Sequence, residues 1–213
     1  MHKDVDRSEK TKLSNLPFPV ALLITLIMGV FYTWVDLRQF PEPTQSLLAF
    51  IPGLASLGVL FAAGLRRDKL NLQLASLSGA GAGALGITTI LLLPILVSSS
   101  AYIGWRWVPA LVYAPASGIA QELYFRSALL GGLERAMPGR KVAALITHSL
   151  VFIGFHLRTF LSLPSLGIGI VVGTVLFLAG CGWGWQVQRD RTILWAALQH
   201  SLFLMVMSMF DWA

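Results

Sequence analysis

The sequence predicts an all-α, polytopic membrane helix bundle with about seven transmembrane helices and a cytoplasmic N-terminus. The composition is the first observation: 55% of the 213 residues are hydrophobic and 12% are charged, whereas soluble domains carry about 25% charged residues. The mean hydropathy is +0.70. Long charge-free runs and an alternating distribution of Lys and Arg are the second and third observations.

The charge-free runs give the positions of the helices. A membrane-spanning helix needs about 20 apolar residues. Runs without Asp, Glu, Lys or Arg approach or exceed that length at 13–35, 43–65, 70–105, 159–188 and 192–210. Two further segments are long enough only if Glu122, Arg126 and His148 are buried within the protein. The predicted spans lie at about 17–36, 44–65, 75–98, 108–131, 141–158, 164–185 and 192–210.

The Lys and Arg residues alternate between segments, which predicts the orientation. Twelve lie in the N-terminal tail and in alternate loops, three lie in the other loops, and Arg126 lies within a span. Because cytoplasmic loops are enriched in Lys and Arg, the net charge of +6 reflects membrane topology rather than a nucleic-acid partner. We expect one membrane domain over 1–213, in which a cytoplasmic tail at 1–16 leads into a retained helix rather than a cleaved signal peptide.

Glu122 is the only carboxylate deep inside an apolar span. An ionisable side chain at the bilayer centre costs at least about 2.5–3.5 kcal/mol, so such a residue is a functional candidate. Arg126 follows four residues later on the same helical face and is the expected partner. Pro115 is expected to loosen the helix just before Glu122. The pair is either functional or a structural ion pair that holds helices together.

Two histidines are predicted at a depth similar to that of Glu122. At about 1.5 Å per helical residue, Glu122, His156 and His200 lie about 12–22 Å from the cytoplasmic surface on three different spans. A carboxylate beside an imidazole activates water, and a second imidazole stabilises an oxyanion. Each histidine could instead be a packing residue, the role we assign to His148, and Cys181 is predicted to be an apolar filler rather than a nucleophile.

Two His and one Glu could bind zinc, but HExxH is absent, and we predict neither a metal nor a cofactor.

The candidate residues fall into three motifs. These are Gln121-Glu122-xxx-Arg126, Phe152-xxx-His156 and His200-xxx-Leu204. In their order and spacing they resemble the CAAX protease and bacteriocin-processing family, which is marked by Glu-Glu-xxx-Arg, Phe-xxx-His and His-xxx-Asn or Asp on membrane helices. The resemblance covers residues of about 108–205, nearly half of the chain.

The resemblance implies a glutamate-type intramembrane endopeptidase that consumes no metal and cleaves a membrane-associated peptide or protein. In that picture Glu122 and His156 activate the attacking water, His200 helps to stabilise the oxyanion, and Arg126 positions the carboxylate. The resemblance also implies the cytoplasmic membrane of a bacterium. The sequence predicts no oligomeric state.

Two positions depart from the family pattern. Gln121 replaces the first glutamate, and Leu204 replaces the final amide or acid. Gln orients water but takes no proton, so either Glu122 carries the base role or the chain is catalytically weak. Losing an oxyanion donor typically costs about 10²–10³ in rate. Two alternatives stay open: a non-catalytic family member that acts as a regulator, scaffold or immunity protein, and a small proton-coupled transporter.

Overall fold

The computed structural model describes residues 16–74, 79–97 and 107–209. Within these ranges the chain is helical apart from short connections, and no strand is present beyond one isolated bridge between Leu72 and Thr192. The all-α prediction is therefore confirmed. The predicted tail at 1–16 lies almost entirely outside the described residues.

Eight helices make up the described chain, and we number them in order. They are α1 (Phe18–Arg38), α2 (Thr44–Ala62), α3 (Gly79–Val97), α4 (residues 109–136), α5 (Lys141–Gly154), α6 (Leu157–Leu161), α7 (Leu166–Asp190) and α8 (Leu194–Met207). All but the short α6 correspond to the seven predicted spans.

The helix ends follow from local sequence. Helix α1 begins directly after Pro17, whose fixed φ suits the start of a helix, and it ends at Gln39 in the left-handed conformation. Ser165 caps α7 by accepting a hydrogen bond from the N–H of Ile168, which satisfies one of the free donors at a helix start. Helix α7 ends at Arg191, which also has a positive φ.

Three helices of the described residues are long and apolar enough to cross a membrane: α1, α2 and α7. Shorter apolar stretches occur at Ala80–Leu93, Lys141–Gly154 and Leu194–Met207. Large apolar side chains point outward, as at Leu166 and Ile90, while charged Glu122 and Arg126 are buried. This reversal of the usual soluble pattern is typical of a membrane bundle, and the number of crossings stays a prediction.

Helix α4 occupies the centre of the bundle. It packs against α2 on one side and α8 on another, while α1 packs on α2, α5 on α7 and α3 on α8. Gly118 allows a close approach of α4 to α8, because a Cβ at this position would lie 2.9 Å from the backbone nitrogen of Ser201. The ionisable residues of α4 thereby face neighbouring helices.

Several predicted spans end at other residues than the observed helices, among them the two that contain Glu122 and His156. The span at 141–158 ends early, because α5 stops at Gly154 and His156 lies in the turn before α6. The span at 108–131 is too short, since α4 continues to Ala136. A run of apolar residues predicts burial, but it does not show where the backbone leaves the helical conformation.

Candidate active site

Glu122 lies at the centre of a buried cluster of ionisable residues. Its Oε1 atom lies 3.1 Å from Nη1 of Arg126 and 2.8 Å from Nδ1 of His200. Glu122 and Arg126 are completely shielded, and His200 is 4% exposed. The predicted Glu122–Arg126 pair therefore forms, and α8 supplies the imidazole that completes it.

Wide helical turns shape α4 around this cluster. Two π-helical stretches, Pro109–Tyr113 and Leu123–Leu129, alternate with α-helical Ala114–Glu122 and Leu130–Ala136. The helix stays continuous through Pro115, which follows the end of the first π-helical stretch by two residues. Such π turns frequently occur at functional sites, and here one begins immediately after Glu122.

Arg126 is enclosed by aromatic rings. Its guanidinium carbon lies 4.2 Å from the ring centre of Phe152 and 5.3 Å from that of Trp183. A cation over an aromatic face gains about 2 kcal/mol or more when it is desolvated. Apart from the ion pair with Glu122, its guanidinium nitrogens have no hydrogen-bond partner among the described residues, so Arg126 keeps unused donors inside the protein.

His156 borders the cluster but does not bind Glu122 directly. Its Nδ1 atom lies 2.7 Å from the carbonyl oxygen of Phe152, which accepts a hydrogen bond only if Nδ1 carries the proton. The Nε2 lone pair of a neutral His156 is then available. His156 lies close enough to His200 and Arg126 to interact with them electrostatically, whereas no hydrogen bond joins it to Glu122 in the described part of the chain.

Gln121 precedes Glu122 and is 7% exposed. Its Nε2 atom lies 3.4 Å from Oγ of Ser117, and its buried Oε1 has no hydrogen-bond partner. A primary amide has two donors and one acceptor oxygen, so Gln121 retains both an N–H and an oxygen for a further partner. Leu204 lies one helical turn beyond His200 on α8.

Sequence reasoning missed the aromatic and amide groups around His200. Trp183 stacks on His200 with ring centres 4.8 Å apart and donates to Oε1 of Gln199 over 3.3 Å. Gln199 in turn donates to Gln186 over 2.9 Å, and the buried Nε2 of Gln186 has no partner. Trp183 and Gln186 also line a cavity of about 380 Å³ between α3, α7 and α8. The available signal was three polar or aromatic residues on α7 and α8, namely Trp183, Gln186 and Gln199, but their spacing alone matches a packing interface.

His148 and Cys181 lie at the edge of the site. His148 is fully buried, and its ring lies nearly parallel to that of Phe152 at 6.4 Å. Neither ring nitrogen has a hydrogen-bond partner. Cys181 is 3.3 Å from Oγ of Ser149. His148 therefore packs on the ring that also covers Arg126, a proximity that its sequence position did not indicate.

The atoms with unused lone pairs in the cluster are Oε2 of Glu122 and one nitrogen each of His156 and His200. Two imidazoles and a carboxylate are a known ligand set for catalytic zinc. In the described residues, however, no group of three His, Cys, Asp or Glu side chains is placed to hold one ion. The arrangement fits proton transfer and oxyanion binding, which need only the residues themselves.

Comparison with known families finds a match, and the matched region contains the Glu122 cluster. Residues 103–206 match the model of the family described as type II CAAX prenyl endopeptidase, Rce1-like. Over that region, which is just under half of the chain, the sequence is similar to this family. The Rce1-like region begins just before α4 and ends within α8, so it contains all three sequence motifs. It agrees closely with the region of about 108–205 predicted from those motifs.

The family consists of membrane endopeptidases, and the apolar helices of this chain agree with an integral membrane protein. No curated protein and no solved structure is significantly similar to the chain. The assignment to the Rce1-like family therefore depends on the family model and on the residues of the site.

Proposed function

We propose that the protein is an intramembrane glutamate-type endopeptidase that cleaves a peptide or protein close to its membrane anchor. The observation that carries the proposal is the single oxygen of Glu122 shared by Arg126 and His200 within a completely buried site. A charged cluster of this kind is expensive inside a membrane protein. Similarity to the Rce1-like endopeptidase family supports peptide-bond cleavage as the reaction, and the three sequence motifs make the acid and the two imidazoles the residues proposed to perform it.

The proposed reaction starts with a water molecule between Oε2 of Glu122 and Nε2 of His156. Glu122 accepts a proton from the water while the water oxygen attacks the carbonyl carbon of the scissile peptide bond. The carbonyl oxygen becomes an oxyanion. Collapse of this intermediate breaks the C–N bond, and the proton held by Glu122 passes to the leaving amine. The products are a carboxylic acid and an amine, the acid then gives its remaining proton to the amine or to water, and no further reactant is consumed.

The other residues have supporting roles in this proposal. Arg126 and the Nδ1–H of His200 hold the Glu122 carboxylate in a fixed orientation. His200 reaches an oxyanion through Nε2 only in its doubly protonated form, because Nδ1 already donates to Glu122. The free N–H groups of Gln121 and Arg126 are further donors. Buried donors of this kind stabilise an oxyanion strongly, since they need no reorganisation.

The test is cleavage of membrane-anchored peptides by the full chain reconstituted in proteoliposomes. Variants E122Q, H156A and H200A are compared with wild type, and E42Q serves as the control for the same chemical change, because Glu42 is exposed and lies outside the cluster. We expect E122Q to lower the rate by at least about 10²-fold, the usual contribution of a general base, and E42Q to cleave normally. Equal rates for wild type and all three site variants would overturn the proposal.

A second candidate function is supported by one observation. Gln121 occupies the first position of the motif, where the resemblance to the family places a glutamate. A non-catalytic family member that acts as a regulator, scaffold or immunity protein would tolerate this replacement. It predicts that E122Q keeps the cellular phenotype as long as the variant protein accumulates to the wild-type level. Loss of the phenotype in E122Q at normal abundance would favour the endopeptidase.

A further inference from the structure

A second cavity lies at the end of the bundle, well away from Glu122. Its volume is about 420 Å³. It forms where α2 and α4 end, where α5 begins, and where the chain passes from α7 to α8. The residues that line it are Ala63, Gly64, Leu65, Arg66, Lys69, Gly131, Glu134, Arg135, Met137, Pro138, Gly139, Lys141 and Arg191.

Positive charge dominates this basic cavity. Its lining contains five Lys or Arg side chains and one acid, Glu134. Arg191 pairs with Glu134 at 2.7 Å, and the neighbouring Asp68 lies 3.5 Å from Arg66. Arg135 and Lys141 are exposed and have no ion-pair partner in the described residues. The cavity therefore presents two unpaired cations and an excess of positive charge.

The position of the basic cavity favours a lipid over a soluble ligand. It lies at the ends of apolar helices, where a phospholipid headgroup meets the protein. Apolar groups form part of its lining, among them Leu65, Met137 and Pro138. The loops that form it carry the excess of Lys and Arg, which predicts the cytoplasmic side. The cytoplasmic leaflet carries anionic lipids, and basic cavities between helices bind their headgroups.

The basic cavity is also connected to α4. Arg191, in its wall, lies 3.4 Å from Oδ1 of Asn71. Asn71 donates from Nδ2 to the carbonyl oxygen of Arg126 over 3.0 Å. The α2–α3 connection is docked on the same turn of α4, where Ser127 donates to the carbonyl oxygen of Leu70. The wall of the cavity is thereby fixed by buried hydrogen bonds rather than by mobile surface side chains.

We propose that the basic cavity binds the phosphate headgroup of an anionic phospholipid. Arg135 and Lys141 contact the phosphate, and Met137 and Pro138 contact the glycerol and the first acyl carbons. The proposal is independent of the endopeptidase reaction, because none of these residues belongs to the Glu122 cluster.

The test measures lipid binding by the full chain. The protein is reconstituted in nanodiscs of phosphatidylcholine with a rising fraction of phosphatidylglycerol, and the retained phosphatidylglycerol is counted by native mass spectrometry after transfer to detergent. The R135Q/K141Q variant removes the two unpaired cations of the cavity. The matched control is R67Q/R140Q, which removes one exposed arginine from the α2–α3 connection and one from the α4–α5 connection, both outside the cavity lining. The single variant K141Q keeps the test valid if the double variant is unstable.

We expect R135Q/K141Q to weaken the retention of phosphatidylglycerol by about 30-fold, since each cation near the surface contributes about one kcal/mol and a tenfold change corresponds to about 1.4 kcal/mol. R67Q/R140Q should lose less than K141Q alone. Equal losses in the cavity and control variants would show general surface attraction and overturn the proposal. Equal protection against thermal unfolding by phosphatidylglycerol and by free glycerol phosphate would show a soluble phosphate ligand and would also overturn it.

Discussion

The Oε1 atom of Glu122 lies 2.8 Å from Nδ1 of His200, although 78 positions separate the two residues in the chain. The same oxygen lies 3.1 Å from the guanidinium of Arg126. One carboxylate oxygen thus joins α4 to α8, and the second oxygen stays free of hydrogen bonds. The geometry makes the carboxylate rigid while it leaves one oxygen for a reacting molecule.

The first prediction concerns the energy of the buried ion pair. R126M is expected to destabilise the protein by about 3–5 kcal/mol, because it leaves Glu122 buried without its cation. The E122Q/R126M variant should be less destabilised than the sum of the two single variants, since it removes both charges. Unfolding in mixed micelles across this double-mutant cycle measures the difference. Additive losses would mean that the two charges are not coupled.

The second prediction concerns the contact between α4 and α8. G118A should destabilise the protein by about 1–3 kcal/mol, because the added Cβ would lie 2.7 Å from Oγ and 2.9 Å from the backbone nitrogen of Ser201. Backbone cannot move aside as a side chain does, so the helices must separate next to His200. We therefore expect a lower cleavage rate as well.

The matched control for this variant is G58A on α2. An added Cβ at Gly58 meets nothing within 4 Å, and Ala is favoured over Gly in a helix by about 0.5–1 kcal/mol. G58A should therefore be neutral or slightly stabilising in the same thermal unfolding measurement. A G118A protein as stable and active as G58A would show that the close approach of Gly118 to Ser201 has no energetic importance.

The third prediction concerns Asn71, which is fully buried and has a φ of 56°. N71A removes the hydrogen bond to the carbonyl oxygen of Arg126 and places Ala in the left-handed region. Loss of the partner of a buried polar group costs about 1–3 kcal/mol, and the conformation adds about 1–2 kcal/mol.

N71G separates these two contributions to the stability of the Asn71 turn. Glycine tolerates a positive φ, so N71G loses the side-chain hydrogen bond without the conformational penalty. Thermal unfolding should rank the proteins as wild type, N71G and N71A in order of decreasing stability. Equal stability of N71A and N71G would contradict the conformational part of the argument.

The sequence correctly predicted the approximate positions of the long helices and the ion pair between Glu122 and Arg126. Charge-free runs located the helices because burial in lipid demands apolar side chains over a fixed length. The spacing of Glu122 and Arg126 predicted their contact because both residues lie on one helix. The position of a helix and a contact within one helix both depend on residues that are close in the sequence, so the spacing of residue types predicts them.

The contacts between helices were less predictable. The predicted span positions and the helical rise placed His156 and His200 at a similar depth. Only the three-dimensional structure shows that His200 bonds directly to Glu122 and that His156 does not. The turn at Phe155 and His156 interrupts an apolar run that contains no Pro there. Trp183 packs on His200 through the crossing of α7 and α8, and such a crossing has no signature in either helix alone.

The last prediction concerns Gln121 and the identity of the base. Q121E adds a carboxylate next to Glu122 at the position where the family resemblance places one. If a carboxylate at this position also accepts a proton from the attacking water, the initial rate of cleavage of a membrane-anchored peptide should rise. The rise should stay below the range of about 10²–10⁴ that a general base contributes, because Glu122 already supplies one.

The double variant Q121E/E122Q then decides between the two positions. The carboxylate that Q121E introduces lacks the contacts with Arg126 and His200 that fix Glu122, so we expect the double variant to stay as inactive as E122Q. Q121N serves as the control for loss of side-chain length without added charge. Recovery of cleavage in Q121E/E122Q would show that the first motif position suffices as the base, and Glu122 would then be a positioning residue for the acid beside it.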